Sequence, residues 1–223
     1  MSSEVPPSNL GTQDHWDAVY QRELTNFESN RDDPGDIWYG EQAQSDMVQF
    51  GTDLLMDSGK DVEQVVALDL GTGNGCLTLA LLEEGYKNVT ASDYVQSSVD
   101  LARSVCSNGG FEASEALRFF LDDINWTDFG QDFDVVFDKG TMDAYLLNPD
   151  HTRQMYVNRV KGMMKVGGIL VLASCNNTVE EIEAFFGEVE GWKFLEEKKG
   201  GNVFSFGGQS GSTHVILAFE KVC

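Results

Sequence analysis

Basic residues are scarce in this sequence. Its 223 residues include 15 lysines and arginines against 37 aspartates and glutamates, which gives a formal net charge of −22. No basic stripe is present, so the charge argues against a nucleic-acid partner and against binding to an anionic membrane surface. A basic protein partner is compatible with the acidic excess, although such an excess usually serves only solubility.

Cysteines and long apolar runs are also few. The four cysteines show no CxxC spacing and have no histidine at ligand spacing, which indicates neither a metal site nor a disulfide framework. The longest apolar run, around residues 166–175, is too short to span a bilayer, and the first ten residues lack the basic and apolar regions of a secretion signal. We therefore expect a soluble, cytoplasmic, metal-free protein, and we take it to be a monomer.

The length and the hydrophobic pattern predict one domain. Residues 1–12 are polar, contain two prolines and read as a flexible tail, and residues 13–223 form the domain. Two helical patterns come first, and apolar strands then alternate with helices, which indicates a parallel sheet covered on both faces. The predicted fold class is α/β: a single doubly wound, mostly parallel, seven-stranded Rossmann-like sheet with an N-terminal helical lid.

The strongest motif is VVALDLGTGNG, an apolar strand that runs into a glycine-rich turn ahead of a helix. Glycine lets the backbone come close to a bound nucleotide-like group. Asp69 beside this turn would repel a pyrophosphate but would attract a cofactor that carries an ammonium group and a sulfonium. The candidate cofactor-binding residues of this segment are Asp69, Gly71, Gly73, Asn74 and Gly75.

Two further strand ends carry acidic residues. Asp93 closes the second strand, 18 residues after Gly75, where a carboxylate can accept hydrogen bonds from both hydroxyls of a ribose; Tyr94 follows it as a further candidate. Asp122 and Asp123 follow the third strand and could accept a hydrogen bond from an adenine amine. Alternatively, these two residues only form a turn that ends the strand.

The fourth strand ends in the segment FDVVFDKGTMDAY, at the edge where open α/β sheets bind their ligands. We identify Asp138, Lys139 and Tyr145 as candidate catalytic residues, with Asp138 also a candidate cofactor contact. The alternatives are a local ion pair between Asp138 and Lys139 on a solvated turn, and a packing role for Tyr145.

Four aromatic residues precede the glycine strand, in the segment expected to form the lid. Aromatic faces attract cations, so Trp38 and Tyr39 are candidate cofactor contacts. Trp16 and Tyr20 lie on a helical pattern and are assigned to core packing.

Taken together, this order of features resembles the class I, seven-strand, S-adenosylmethionine-dependent methyltransferases from Asp14 onward. Three segments, DIWYGE, FDKGTMDA and FSFGGQSG, resemble more narrowly the branch that methylates a lysine of translation elongation factor 1-alpha. The resemblance implies S-adenosylmethionine as cofactor and elongation factor 1-alpha as the basic protein substrate. It also implies that residues 138–141 close over the methionine part, that Asp93 contacts the ribose, and that Asp123 and Ile124 contact the adenine.

Other functions remain open at this point. Class I enzymes that methylate amide or adenine nitrogens carry an Asn/Asp-Pro-Pro-aromatic motif at the end of the fourth strand. This sequence has Asp-Lys-Gly-Thr at 138–141 instead, which argues against those substrates. The alternatives are methyl transfer to a small molecule, a catalytically idle binding subunit, and a nicotinamide-dependent oxidoreductase. Cys76 at the third position of the glycine pattern and the charge of Asp69 disfavour the oxidoreductase.

Overall fold

The computed structural model describes residues 8–198, 203–206, 209–212 and 214–223, with the backbone alone for 203–206 and 209–212. The helices are α1 (Gln13–Ser29), α2 (Gly40–Asp57), α3 (Cys76–Glu84), α4 (Gln96–Asn108), α5 (Thr141–Leu146), α6 (Arg153–Met163) and α7 (Val179–Gly187). The strands are β1 (Val66–Leu70), β2 (Asn88–Asp93), β3 (Leu117–Leu121), β4 (Phe133–Lys139), β5 (Met164–Ser174), β6 (Trp192–Glu197), β7 (Val203–Phe206), β8 (Gln209–Ser212) and β9 (Val215–Lys221). In the described part of the chain, no helix has the length and apolar character needed to cross a membrane.

Seven strands form one sheet in the order β3-β2-β1-β4-β5-β9-β6. The strand β9 runs antiparallel to β5 and β6, and the other neighbours are parallel, which confirms the predicted seven-stranded, mostly parallel sheet. The chain winds outward from β1 through β2 to β3 and then returns to β4 on the other side of β1. The carboxyl ends of β1 and β4 therefore flank the switch point at which open α/β sheets bind ligands.

A separate two-stranded antiparallel sheet, β7 with β8, lies in the chain between β6 and β9. The strand pattern of the sequence did not predict it. The segment FSFGGQSG falls on this hairpin, and its residues 207 and 208 lie outside the described residues.

Helices cover both faces of the sheet because its strands are apolar on both sides. Along β5, Val171 and Ala173 belong to the core that includes α2 and α3, whereas Leu170 and Leu172 belong to the core that includes α6 and α7. Alternate residues of a strand point to opposite faces, so one continuous apolar run serves both cores.

The amino-terminal boundary differs from the predicted one. Residues Asn9–Gly11 form a 3₁₀ helix, and the backbone N–H of Ser8 donates to the carbonyl of Leu147 at 3.4 Å. A Cβ at the buried Gly11 would lie 2.4 Å from the backbone N of Asn148, so the absence of a side chain permits this close contact. The ordered contacts thus begin before residue 12, where the tail was predicted to end; residues 1–7 are outside the described part.

Candidate active site

A cavity of about 260 Å³ opens at the carboxyl ends of β1, β2 and β4, which is the predicted location. Its walls come from the glycine turn after β1, the segments after β2 and β3, the start of α5, and the lid helix α1. The predicted site residues that line it are Trp38, Asp69, Gly71, Gly73, Asn74, Asp93, Tyr94, Asp122, Asp123, Ile124, Lys139 and Tyr145. The predicted residues that do not line it are Tyr39, Gly75 and Asp138.

Two glycines of the turn have different roles. Both adopt left-handed backbone conformations, with φ of 57° at Gly73 and 78° at Gly75. A Cβ at Gly73 would lie 2.6 Å from the Tyr20 hydroxyl, on the cavity side. A Cβ at Gly75 would lie 2.5 Å from Cα of Ala102, so Gly75 allows α3 to pack against α4 rather than contacting a ligand.

Asp69 presents a buried carboxylate to the cavity. Its Oδ2 accepts hydrogen bonds from the hydroxyls of Thr72 at 2.8 Å and Thr78 at 2.6 Å. Its Oδ1 accepts none from the described residues, and burial raises the pKa of the carboxyl group. The side chain is therefore held in place by two hydroxyls and retains one oxygen for a cationic ligand group.

Asp93 lies at the end of β2, next to the glycine turn. Its Oδ2 accepts the backbone N–H of Gly73, and its Oδ1 accepts that of Val95, both at 3.0 Å. Each oxygen keeps a second lone pair, which is the acceptor capacity that two vicinal hydroxyls require. Burial raises the pKa of Asp93 to about 6, because the loss of water disfavours the ionised carboxylate by more than the backbone hydrogen bonds from Gly73 and Val95 favour it.

The far end of the cavity is formed by the segment after β3. Asp123 Oδ1 accepts the backbone N–H of Asn125 at 2.8 Å, so this residue forms the predicted turn and still keeps its second oxygen. The Tyr145 hydroxyl donates to Asn125 Oδ1 at 2.7 Å, and its ring stacks on His151 with the centroids 4.0 Å apart. Tyr145 thus lies at the predicted adenine end, away from Lys139, and burial raises its pKa to about 12. This placement does not support the catalytic role predicted for it.

Asp138 is fully buried beneath the cavity and does not reach it. Its carboxylate accepts the backbone N–H of Thr141 at 2.7 Å, the N–H of Met142 at 3.0 Å and the hydroxyl of Tyr156. Burial raises its pKa to about 7. Asp138 therefore does not line the cavity, although the prediction of a direct contact with cofactor or substrate required it to. It holds the turn that carries Lys139, Gly140 and Thr141 into the cavity wall.

Tyr39 likewise supports the wall from outside. It is the single non-glycine residue with a positive φ, 65°, in the described part of the chain. Its hydroxyl donates to Asp143 at 2.9 Å, and Asp143 also accepts the Ser174 hydroxyl at 2.6 Å and the backbone N–H of Cys175 at 2.7 Å. This buried carboxylate therefore links the lid segment, α5 and the end of β5, and Tyr39 anchors Trp38 rather than contacting the ligand itself.

Aromatic side chains form the roof of the cavity. Trp16 and Tyr20 of α1 and Trp38 all line it. The ring of Trp16 lies 5.0 Å from that of Trp38 and stacks on that of Tyr20 at 5.9 Å. The assignment of Trp16 and Tyr20 to simple core packing is therefore corrected: both are packed, and both face the site. Their position ahead of the glycine strand was the signal that could have identified them.

Other lining residues, apart from Thr72 inside the glycine-rich motif, carried no recognisable pattern in the sequence. They come from loops and helix ends whose approach to the site depends on the folded chain. The side-chain amide of Gln13, for example, donates to the carbonyl of Tyr94 at 2.7 Å and so joins the lid to the end of β2. The missed residues include Gly11, Gln13, Asp36, Thr72, Asn125, Asn148 and His151.

Comparisons with known proteins agree with this geometry. A family model described as a methyltransferase domain matches residues 61–208. The human protein named EEF1A lysine methyltransferase 2 is 37% identical over 220 residues, which covers 97% of this chain and 88% of that protein. The Schizosaccharomyces pombe protein named protein-lysine N-methyltransferase efm4 is 35% identical, with 98% of this chain and 96% of that protein covered.

Solved structures share the fold at low sequence identity. The N-methyltransferase NodS from Bradyrhizobium japonicum, solved with S-adenosyl-L-homocysteine, has a TM-score of 0.59 at 16% identity, covering 92% of this chain and 98% of NodS. The [4+2]-cyclase SpnF has a TM-score of 0.67 at 14% identity, with 99% of each chain covered. Because a cyclase shares this architecture, the fold alone does not define the reaction.

Proposed function

The chain belongs to the methyltransferase domain family and, within it, to the protein-lysine N-methyltransferases, and from this membership we propose that it transfers a methyl group from S-adenosylmethionine to a lysine of a protein. The observation that carries the proposal is the arrangement of charge along the cavity. An acidic residue stands at each of three strand ends, beside a glycine turn and under an aromatic roof. This arrangement suits an elongated ligand with a cationic end, a ribose and an amine-bearing base.

The residues present fit the parts of S-adenosylmethionine. Asp69 would bind the ammonium through Oδ1, Asp93 would accept both ribose hydroxyls, and Asp123 with Ile124 would hold the adenine. When bound, the cofactor supplies an electrophilic methyl group on a positively charged sulfur. Trp16, Tyr20 and Trp38 shield this region from water, and their faces favour the positive charge.

Methyl transfer of this kind needs alignment more than acid-base machinery. The wall formed by Gly140 and Thr141 and the aromatic roof restrict the approach of an incoming nucleophile, and such restriction lowers the barrier by holding the reacting atoms in line. A lysine must first lose its proton, and its ordinary pKa is near 10.4. Burial beside a sulfonium lowers that pKa, because both desolvation and the nearby positive charge disfavour the ammonium.

Elongation factor 1-alpha is the substrate we propose. Relatives at 31% to 37% identity over nearly the whole chain are named EEF1A lysine methyltransferase 2 in three vertebrates. The net charge of −22 favours a basic surface on the partner. Because elongation factor 1-alpha is a translation factor, we place the activity in the cytoplasm.

A nicotinamide-dependent oxidoreductase is less well supported by the same cavity. The carboxylate of Asp69 lines the site beside the glycine turn, where a pyrophosphate would be repelled.

The direct test uses purified components. Elongation factor 1-alpha from the same organism is incubated with the protein and isotopically labelled S-adenosylmethionine, and its lysines are mapped by mass spectrometry. We expect label on one lysine or a small set of lysines, and none when that lysine is replaced by arginine. Absence of label at every lysine, with the cofactor shown to bind, would reject elongation factor 1-alpha as substrate.

A further inference from the structure

Lys139 is a cation of the cavity wall without a counter-ion in direct contact among the described residues. It is the last residue of β4, it lines the cavity, and it is partly buried. The ion pairs among the described residues join Lys165 to Asp134 and Lys193 to Glu220, and neither includes Lys139. Its Nζ donates one hydrogen bond, to the backbone carbonyl of Trp38 at 3.2 Å, which leaves two of its three donors unused within the described part of the chain.

The position of Lys139 relative to Asp69 indicates what this cation could bind. Asp69 on β1 is in register with Phe137 on β4, so Lys139 lies two residues beyond that pair, toward the cavity and on the same face of the sheet as Phe137. Burial lowers the pKa of Lys139, and the negative charge of Asp69 opposes that effect. The wall thus presents an ammonium close to a carboxylate, with neither neutralising the other by direct contact.

An α-amino acid carries the complementary pair of charges on a single carbon atom. We propose that Lys139 binds the carboxylate of the methionine part of the cofactor while Asp69 binds its ammonium. This inference rests on the proposed function, since it takes S-adenosylmethionine as the ligand. It also gives Lys139 a role in holding the cofactor, in place of the catalytic role predicted for it from the sequence.

The hydrogen bond from Lys139 to the carbonyl of Trp38 connects the proposed carboxylate site to the lid. Because Lys139 bonds to this carbonyl, the lid segment that contributes Trp38 to the roof is connected to the same ammonium. A carboxylate bound at Lys139 fills one of the remaining donor positions without displacing the lid, since an ammonium has three donors.

The test removes the carboxylate from the ligand and the ammonium from the protein. Calorimetry measures the Kd of S-adenosylmethionine and of its decarboxylated form, which keeps the sulfonium, the amine and the nucleoside. For the wild-type protein we expect the decarboxylated form to bind about 10- to 100-fold more weakly, the range of a charge-assisted hydrogen bond. In Lys139→Met this difference should shrink to within about 3-fold, through weaker binding of S-adenosylmethionine alone.

Two comparisons complete the design. Lys60→Met makes the same substitution at a partly buried lysine that also donates to a backbone carbonyl, that of Gly167 at 2.6 Å, outside the cavity lining. It should keep the wild-type preference. Lys139→Arg keeps the positive charge and should keep a preference for the carboxylate, and Lys139→Gln repeats the neutral substitution if Lys139→Met does not fold.

The outcomes distinguish a failure of the role inferred for Lys139 from a failure of the proposed function. If the neutral variants keep the full preference for S-adenosylmethionine, or if they weaken both ligands equally, Lys139 does not bind the carboxylate and the inference is overturned. If the folded wild-type protein binds neither ligand, the proposed function fails instead.

Discussion

Asp93 connects protonation to cofactor binding, because its carboxylate can accept both ribose hydroxyls only when it is ionised. Burial raises its pKa to about 6 in the free protein, and bound hydroxyls favour the ionised form. The affinity for S-adenosylmethionine should therefore be full above pH 7 and should fall as the pH drops through about 6, by up to about tenfold per pH unit.

The matched variant is Asp93→Asn, which keeps one acceptor oxygen and cannot ionise. We expect it to bind S-adenosylmethionine about 10- to 100-fold more weakly at pH 7.5 and to show a smaller change between pH 7.5 and 5.5. Calorimetry at the two pH values checks both points. Wild-type affinity in folded Asp93→Asn would refute the ribose assignment.

Substitution of Asp138 is expected to lower the stability of the fold, and to lower turnover only because the fold is less stable. Asp138→Ala leaves two backbone N–H groups and the Tyr156 hydroxyl without their buried acceptor, which should lower the free energy of unfolding by about 2 to 4 kcal/mol. Tyr156→Phe removes one donor and leaves the two N–H bonds, so it should cost about 1 kcal/mol.

Thermal and urea unfolding measure the loss of stability in each variant, which should be larger for Asp138→Ala than for Tyr156→Phe. An Asp138→Ala protein with wild-type stability but no turnover would restore Asp138 as a catalytic group.

At the scale of elements, the glycine turn between β1 and α3 decides whether the cofactor can bind. Gly73→Val places a branched side chain where the Tyr20 hydroxyl already lies within 2.6 Å of the Cβ position, at a φ that valine resists. We expect binding of S-adenosylmethionine to fall below detection. The circular dichroism spectrum should stay native, because the substitution lies in a turn at the cavity edge.

The control is Gly85→Val, at the C-cap of α3, where φ is 111° and no heavy atom lies within 4 Å of the Cβ position. It carries the same kind of backbone strain away from the cavity, so it should lose stability and keep the cofactor. Retained binding in a folded Gly73→Val protein would show that the turn is not part of the site.

The elements also explain which site residues the sequence could predict. Asp69, Asp93 and Asp123 were predictable because the carboxyl ends of parallel strands meet at one edge, whatever the details of packing. Asp138 and Lys139 are the last two residues of β4, so their side chains point to opposite faces of the sheet. Lys139 lines the cavity and Asp138 does not, and the motif alone did not show which of the two faces the cavity.

The lid and the late strands were harder to place. Trp16 and Tyr20 show an ordinary amphipathic spacing, and their contact with the cavity follows from the packing of α1 against α4, which joins distant parts of the chain. The hairpin of β7 and β8 carries two adjacent glycines and no long apolar run, so the strand pattern gave no signal for it. The capping box at the start of α7, by contrast, depends on a local sequence pattern, because the Thr178 hydroxyl accepts the Glu181 N–H and the Glu181 carboxylate accepts the Thr178 N–H.

At the scale of the whole molecule, the net charge of −22 should guide a basic substrate toward the enzyme. Added salt shortens the screening length from about 10 Å at 0.1 M to about 3 Å at 1 M. We therefore expect kcat/KM for the protein substrate to fall as salt rises, well before the Kd of S-adenosylmethionine changes, since cofactor contacts are short and enclosed. A small uncharged nucleophile is the control and should show little salt dependence. A flat kcat/KM for the protein substrate would limit the acidic excess to solubility.

Identification of the natural methyl acceptor decides whether this protein methylates a lysine of a protein. The protein is added to a lysate of cells that lack it, together with labelled S-adenosylmethionine, and the labelled products are separated into small molecules and proteins and analysed by mass spectrometry. We expect label on a lysine Nζ of a basic protein, with elongation factor 1-alpha as the principal labelled band. With Asp93→Asn, at a cofactor concentration below the wild-type Kd, the label should fall about 10- to 100-fold. Label confined to the small-molecule fraction, or to a residue other than lysine, would contradict it.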